Sequence, residues 1–264
     1  MNLNMLTLEV CEIAKKTGGF IRNESAKFTA ENVESKGVHN FVTYVDKNSE
    51  KQIIKELEKL LPEAGFIAEE GTSSKKGEVY NWIIDPLDGT TNFIHGLPPF
   101  AVSIALMKEN EIVLGVVYEV MLNECFYAWK EGGAWLNGRK ISVSQGATLN
   151  ESLIATGFPY TNYQKIDPFM KSIEHFLKES HGIRRLGSAA TDLAYVACGR
   201  FETFYEYGLN PWDVAAGCLL ITEAGGRVSD FNGKDNYLFG GEMVAGNPHV
   251  FGEFLRIVSE YLTD

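Results

Sequence analysis

The stretch Asn81-Trp82-Ile83-Ile84-Asp85-Pro86-Leu87-Asp88-Gly89-Thr90-Thr91-Asn92-Phe93 constrains this chain more than any other. The apolar run Trp82–Ile84 has strand character and delivers Asp85, and Pro86 is expected to stop the pairing there. Asp88 follows three residues on, ahead of a Gly-Thr-Thr turn. Two carboxylates at one strand end repel each other and resist desolvation unless a cation lies between them. The turn beside them can offer N–H groups and a hydroxyl to an anion. Cations and an anion cradle at one strand end describe a metal-assisted phosphoryl site. Read alone, Asp-Pro-x-Asp-Gly is equally a surface turn whose Asp side chains cap backbone groups.

Three further acidic elements shift that balance. Phe66-Ile67-Ala68-Glu69-Glu70-Gly71 is a short apolar strand ending in paired glutamates. Trp212-Asp213-Val214-Ala215-Ala216-Gly217 opens an apolar, Ala-rich helix with an Asp just after Pro211. Val42-Thr43-Tyr44-Val45-Asp46 alternates and ends on an Asp before a helical stretch. Asp46 and Asp213 also read as ordinary helix N-terminal acids, and Glu69-Glu70 as a solvated pair. Four acidic ends of elements, where α/β proteins collect ligands, favour one shared site.

These motifs resemble the inositol monophosphatase family, within the magnesium-dependent, lithium-sensitive phosphatases that include fructose-1,6-bisphosphatases. Glu69-Glu70, the Asp85–Phe93 motif and Trp212–Gly217 carry the likeness, and Gly187-Ser188-Ala189-Ala190 is similar to the family's substrate loop. It runs over nearly the whole chain. Asn92-Phe93 resembles the inositol phosphatase branch more than the nucleotide-phosphate branch, where a Lys-Glu pair is more usual.

Composition agrees with a soluble globular protein: 264 residues, 45% hydrophobic and 22% charged, enough for a substantial core. The formal charge of −11 argues against nucleic acid and anionic membrane as main partners. Bound divalent cations would reconcile that charge with a phosphorylated substrate. Cys11, Cys125, Cys198 and Cys218 show no Cys-x-x-Cys spacing and read as buried thiols, with no disulfide framework. The N-terminus does not read as a signal peptide, and no apolar run would span a bilayer. A cytoplasmic protein is expected.

No linker or repeat divides the chain, so one domain over 1–264 is expected, with halves at about 1–145 and 146–264. Helical spacing covers residues 3–30, with a break expected at Gly18-Gly19, and 47–61, ending at Pro62. Residues 32–41 read as an irregular polar segment containing Lys36. Residues 101–143 read as an antiparallel meander, with Asn137-Gly138 as a hairpin turn. The second half alternates strands with helices, which suggests a layered α/β sandwich. The resemblance makes this the five-layer α-β-α-β-α fold.

The resemblance also implies roles. Glu69, Asp85 and the Leu87 carbonyl match ligands of one Mg2+, and Asp85, Asp88 and Asp213 match those of a second. Glu70 could serve a third, weaker cation, or lie behind the metals or at the surface. A water acidified by its metal is the expected nucleophile, with Glu69, Thr90 and Asp46 as the catalytic side chains and no covalent intermediate. Asp88, Gly89, Thr90, Gly187, Ser188, Ala189, Glu206 and Asp213 are the expected substrate contacts, Glu206 facing inositol hydroxyls. Ser188 also reads as a helix N-cap. Arg184 and Arg185 either pair with carboxylates across a subunit contact or reach a second phosphate. His95 is left out as a structural loop histidine. Lys36 is a candidate mobile lysine near the metals, or a solvated one.

The expected partner is a small phosphorylated polyol or sugar, with no nucleic acid and no membrane, and a homodimer is expected. The first function is inositol monophosphate hydrolysis. Alternatives are fructose-1,6-bisphosphatase activity, alone or combined with it, and hydrolysis of 3′-phosphoadenosine 5′-phosphate. An alternative of another class is a regulatory binding protein of the transcription machinery.

Overall fold

The computed structural model describes residues 1–27, 33–37, 40–160 and 162–263. Helix α1 (Leu3–Ser25) is followed by a small hairpin, β1 (Val33–Gly37) and β2 (Asn40–Thr43), and by α2 (Tyr44–Leu60). Segment 32–41 thus contains strands, and the Lys36 side chain lies outside what is described.

The expected break in α1 is absent. Gly18 instead lets the helix lie on the sheet, since a Cβ there would run into the Tyr118 ring. Its neighbour Gly19 faces open space. The glycine marks a close approach rather than a helix end.

A seven-stranded sheet follows in chain order: β3 (Gly65–Ala68), β4 (Tyr80–Asp88), β5 (Ala101–Lys108), β6 (Glu111–Glu119), β7 (Glu124–Trp129), β8 (Ala134–Leu136) and β9 (Arg139–Ile141). Only β3 and β4 pair in parallel, and the remainder is the expected meander. Asn137 and Gly138 close the last hairpin with positive φ, as a type I′ turn requires. The short helix α3 (Thr90–Ile94) leaves the end of β4.

The second sheet has the order β11-β10-β12-β14-β13, from β10 (Leu153–Thr156), β11 (Gly182–Arg184), β12 (Thr203–Tyr207), β13 (Arg227–Ser229) and β14 (Glu242–Gly246). Helices α5 (Ala189–Ala197) and α6 (Pro211–Glu223) lie between the two sheets. That position explains why Val214–Ile221 is apolar all round and wholly buried. Helices α4 (Ile166–Glu179) and α7 (Phe251–Leu262) cover the outer face, with Phe169, Phe176, Tyr205 and Phe254 ring to ring. Helices α1 and α2 cover the far face of the first sheet. The result is the five-layer α-β-α-β-α sandwich.

Among the described residues no helix is long and apolar enough to cross a membrane. Cys11, Cys125 and Cys218 are buried, but Cys198 is only half-buried because it caps the end of α5.

Candidate functional site

In a regular strand, residues three apart face opposite ways. Asp85 pairs with Ser103 and Asp88 with Ala101, so three steps on β4 meet two on β5. This bulge at Pro86-Leu87 restores the phase and turns both carboxylates to the α6 face. Ser103 shows the direction, donating to the Trp212 carbonyl at 3.1 Å. Pro86 therefore re-aims the strand instead of ending it, as the sequence reading had expected.

Asp213 meets this pair from the start of α6, where its Oδ2 accepts from Asn210 N at 2.7 Å in a capping box. Carboxylate oxygens of Asp85, Asp88 and Asp213 all lie within 4.8 Å of one another. Glu69 arrives from the end of β3. The parallel register sets Ala68 opposite Ile84, and Glu69 N donates to the Ile84 carbonyl at 3.2 Å. All four acids line one cleft with Leu87, Gly89, Thr90, Gly187, Ser188 and Ala189.

Such crowding is costly for bare carboxylates. Burial, and then the charges of Glu69, Asp88 and Asp213, hold the Asp85 carboxyl well above its usual range. Burial pushes Asp88 up to about 6. Burial and the Asp88 charge push Asp213 up to about 7. A cation among them would remove both penalties, and a donor set made wholly of oxygen suits a hard divalent ion. Leu87 N donates to Asp85 Oδ1 at 2.9 Å, which fixes that carboxylate.

Gly89 turns the chain at φ 90°, with the carbonyls of Pro99 and Gly187 packed against the place a Cβ would take. Directly after it, Thr90 Oγ1 lies 3.0 Å from both Asp46 Oδ1 and the Leu87 carbonyl oxygen. Asp46 is not at a strand end, as expected, but in the first turn of α2. Its Oδ2 accepts from Thr43 N at 2.9 Å and Thr43 Oγ1 at 2.5 Å. Asp46 thus caps α2 and also meets the Thr90 hydroxyl.

From the second half, Ser188 caps α5 and its Oγ lies 2.6 Å from Asp88 Oδ2, which also accepts from Ala190 N at 2.8 Å. Glu206 on β12 is buried at the cleft, its carboxyl held well above the usual range by burial and then by Asp213 and Asp88. The two arginines part company. Arg185 lines the cleft, while Arg184 is exposed and donates to the Ile183 carbonyl at 2.9 Å. His95 is exposed and outside the cleft lining.

Two acidic residues were missed. Glu50, fully buried on α2, accepts at 2.7 Å from each of Glu70 N, Thr72 N and Thr72 Oγ1. It thereby anchors the loop that carries Glu69. Its signal was available: Asp46, Glu50, Ile53, Ile54 and Leu57 form one helical face, on which a carboxylate is out of place. Asp192, in the first turns of α5, is buried and lines the cleft. Nothing in its local sequence separates it from an ordinary helix N-terminal acid.

The model of the inositol monophosphatase family matches residues 3–263. The chain belongs to that family. A curated relative, Nus factor SuhB of Escherichia coli K12, is 44% identical over 261 residues, covering 98% of this chain and 97% of that protein. The solved extragenic suppressor protein suhB from Bartonella henselae is 38% identical, with 97% of this chain and 99% of that one covered and a TM-score of 0.91. The Thermotoga maritima IMPase is 37% identical, with 98% of each chain covered and a TM-score of 0.88. The name Nus factor connects such relatives with transcription, and this overturns the expectation of a family member apart from nucleic acid. Net charge was the wrong guide. It sums the whole surface and speaks to direct phosphate-backbone contact, not to membership of a nucleic-acid-bound assembly.

Proposed function

We propose that this chain is a Mg2+-dependent phosphomonoesterase acting on a small phosphorylated polyol or sugar, with myo-inositol monophosphate as the first candidate. The observation that carries the reading is the convergence of Asp85, Asp88 and Asp213 within 4.8 Å, beside the Gly89-Thr90 turn. Glu69, Asp85, Asp88, Asp213 and the Leu87 carbonyl would hold two cations. When bound, such ions neutralise phosphate charge and acidify a water.

The side chains do the remaining work. Thr90 Oγ1, held 3.0 Å from Asp46 Oδ1, orients the attacking water and passes its proton toward that carboxylate. Glu69, which lines the same cleft, assists. The N–H groups of Gly89 and Thr90 take phosphate oxygens. Glu206 accepts from substrate hydroxyls. Because the Ser188 hydroxyl is engaged with Asp88, the Gly187-Ser188-Ala189 loop offers the substrate only its backbone.

The test is phosphate release from inositol, sugar and nucleotide phosphates with Mg2+ and with a chelator. Release from a polyol or sugar phosphate that is abolished by chelation supports the reading, and no release from any of them sinks it.

A second reading rests on the relatives named as Nus factors: the same fold docks on the transcription machinery. A pulldown with the Asp85→Asn protein separates the two, since a docking role survives that change and a catalytic one does not.

A further inference from the structure

We infer that Glu50 is the positioning residue that aims Glu69 at the cations, so that α2 holds Glu69 in register with Thr90. This rests on the Mg2+-dependent reading above and adds the residue that sets cation affinity at Glu69.

Asp85 and Asp88 lie on β4 and Asp213 on α6, but Glu69 lies just past the end of β3, in a turn. Its direction is therefore fixed by bonds outside any regular element. The Glu69 N–H donates to the Ile84 carbonyl at 3.2 Å. The next N–H along, that of Glu70, donates to Glu50 Oε2 at 2.7 Å. Both peptide planes flanking the Glu69 Cα are thus held, one by β4 and the other by α2. The turn closes with Gly71 N on the Ala68 carbonyl at 3.3 Å, Gly71 taking φ 61°. Thr72 N and Thr72 Oγ1 then donate to Glu50 Oε1, each at 2.7 Å.

Stability does not account for this arrangement. Glu50 is fully buried, and desolvating a carboxylate is costly unless donors meet it. Three donors do, from a turn whose Gly71 and Thr72 are exposed and whose Glu69 and Glu70 are half-buried. Glu69-Glu70-Gly71-Thr72 carries no large apolar side chain, so anchoring it hides little apolar surface. What the anchor fixes is the geometry of Glu69. Asp46 stands four residues earlier on α2, its Oδ1 3.0 Å from Thr90 Oγ1. Residues four apart are neighbours on one helical face. One rigid helix therefore holds Thr90 through Asp46 and the Glu69 turn through Glu50.

The experiment compares wild type with Glu50→Gln and with Thr72→Val by Mg2+ titration calorimetry, by melting, and by hydrogen exchange of the metal-free proteins. The glutamine keeps the size of the side chain, and its oxygen can still meet Thr72, but its NH2 group then faces the Glu70 N–H. Groups that orient metal ligands typically contribute 10–100-fold to affinity, so Glu50→Gln weakens Mg2+ binding by about that factor. The Glu70 amide loses its exchange protection before any metal is added. Thr72→Val changes only an exposed residue and removes one of the three bonds, so it decides the matter if Glu50→Gln does not fold. It weakens Mg2+ binding by about 2–10-fold, the worth of one neutral hydrogen bond. A lower Tm with unchanged Mg2+ affinity in the variants, with wild type active, overturns this inference alone and leaves Glu50 a purely structural residue. A wild type that binds no Mg2+ overturns it together with the reading it rests on.

Discussion

Ser188 donates its hydroxyl proton to Asp88 Oδ2 at 2.6 Å, across 100 residues of sequence. The bond ties the carboxylate at the end of β4 to the start of α5, and so joins the two sheets at the candidate site. Ser188→Ala removes both this bond and the cap of α5. Losing such a cap costs about 1 kcal/mol, which lowers Tm by about 2–4 °C in a chain of this size. Calorimetry reads the shift, and the Mg2+ concentration for half-maximal rate rises with it because Asp88 is less well held. A stability loss without any change in Mg2+ dependence would separate the cap from the site.

The metal-free protein should lose stability as pH rises from about 4 to 7. Asp88 and Asp213 have folded pKa values raised from 3.8 to about 6 and about 7, through burial first. A carboxyl raised in the folded state binds more protons folded than unfolded, so folding is favoured at low pH and penalised as pH climbs through the folded value. Added Mg2+ favours the ionised forms and reverses the trend. Melting curves from pH 4 to 8, with and without Mg2+, check this; a Mg2+-induced gain in Tm independent of pH would contradict it.

Much of this site was legible in the sequence because its acids sit in motifs with their own local logic. Asp85 and Asp88 flank a proline, and Asp213 opens a helix after Pro211. The meander from β5 to β9 was equally open to reading, through period-two alternation and Asn137-Gly138. What stayed hidden depends on contacts far apart in the chain. The bulge at Pro86 exists only in the register with β5, and Gly18 makes sense only once Tyr118 lies beneath α1. Asp192 reads as a helix-end acid until α5 is folded against the cleft that it lines together with Glu206 and Asp88. The nucleic-acid expectation failed for a different reason, since a total charge carries no information on which face meets which partner.

The two adjacent glycines of α1 should answer oppositely to one change. Gly18→Ala forces a methyl into the Tyr118 ring, and such overpacking costs about 1–3 kcal/mol. At Gly19 nothing lies within 4 Å of the added Cβ. There the lower backbone entropy of alanine stabilises by about 0.5–1 kcal/mol. Denaturant unfolding of both variants decides the matter; equal effects would mean that α1 does not pack on β6 as described.

Lithium should inhibit, and the inhibition should deepen with substrate. The site formed by Asp85, Asp88 and Asp213 opens to the cleft and would hold its Mg2+ weakly, since that ion gives up water reluctantly. A small monovalent ion entering after the leaving group departs would trap the product complex, lowering kcat and KM together. Michaelis curves at several LiCl concentrations, with KCl matched for ionic strength, show the pattern. Purely competitive inhibition would contradict trapping.

The central claim is that Asp85 binds the cations on which phosphate release depends. Its most direct test is kcat of Asp85→Asn on the best substrate found, at saturating Mg2+, with Mg2+ binding measured in parallel by calorimetry. The amide keeps the shape of the side chain and the bond from Leu87 N, so the fold should persist. The loss of a single transition-state-stabilising donor typically costs about 10²–10³-fold, and loss of a carboxylate that would hold the cations should cost at least as much. The account predicts a fall in kcat of at least that size together with weakened Mg2+ binding; retention of more than about a tenth of wild-type kcat, with Mg2+ affinity unchanged, would contradict it.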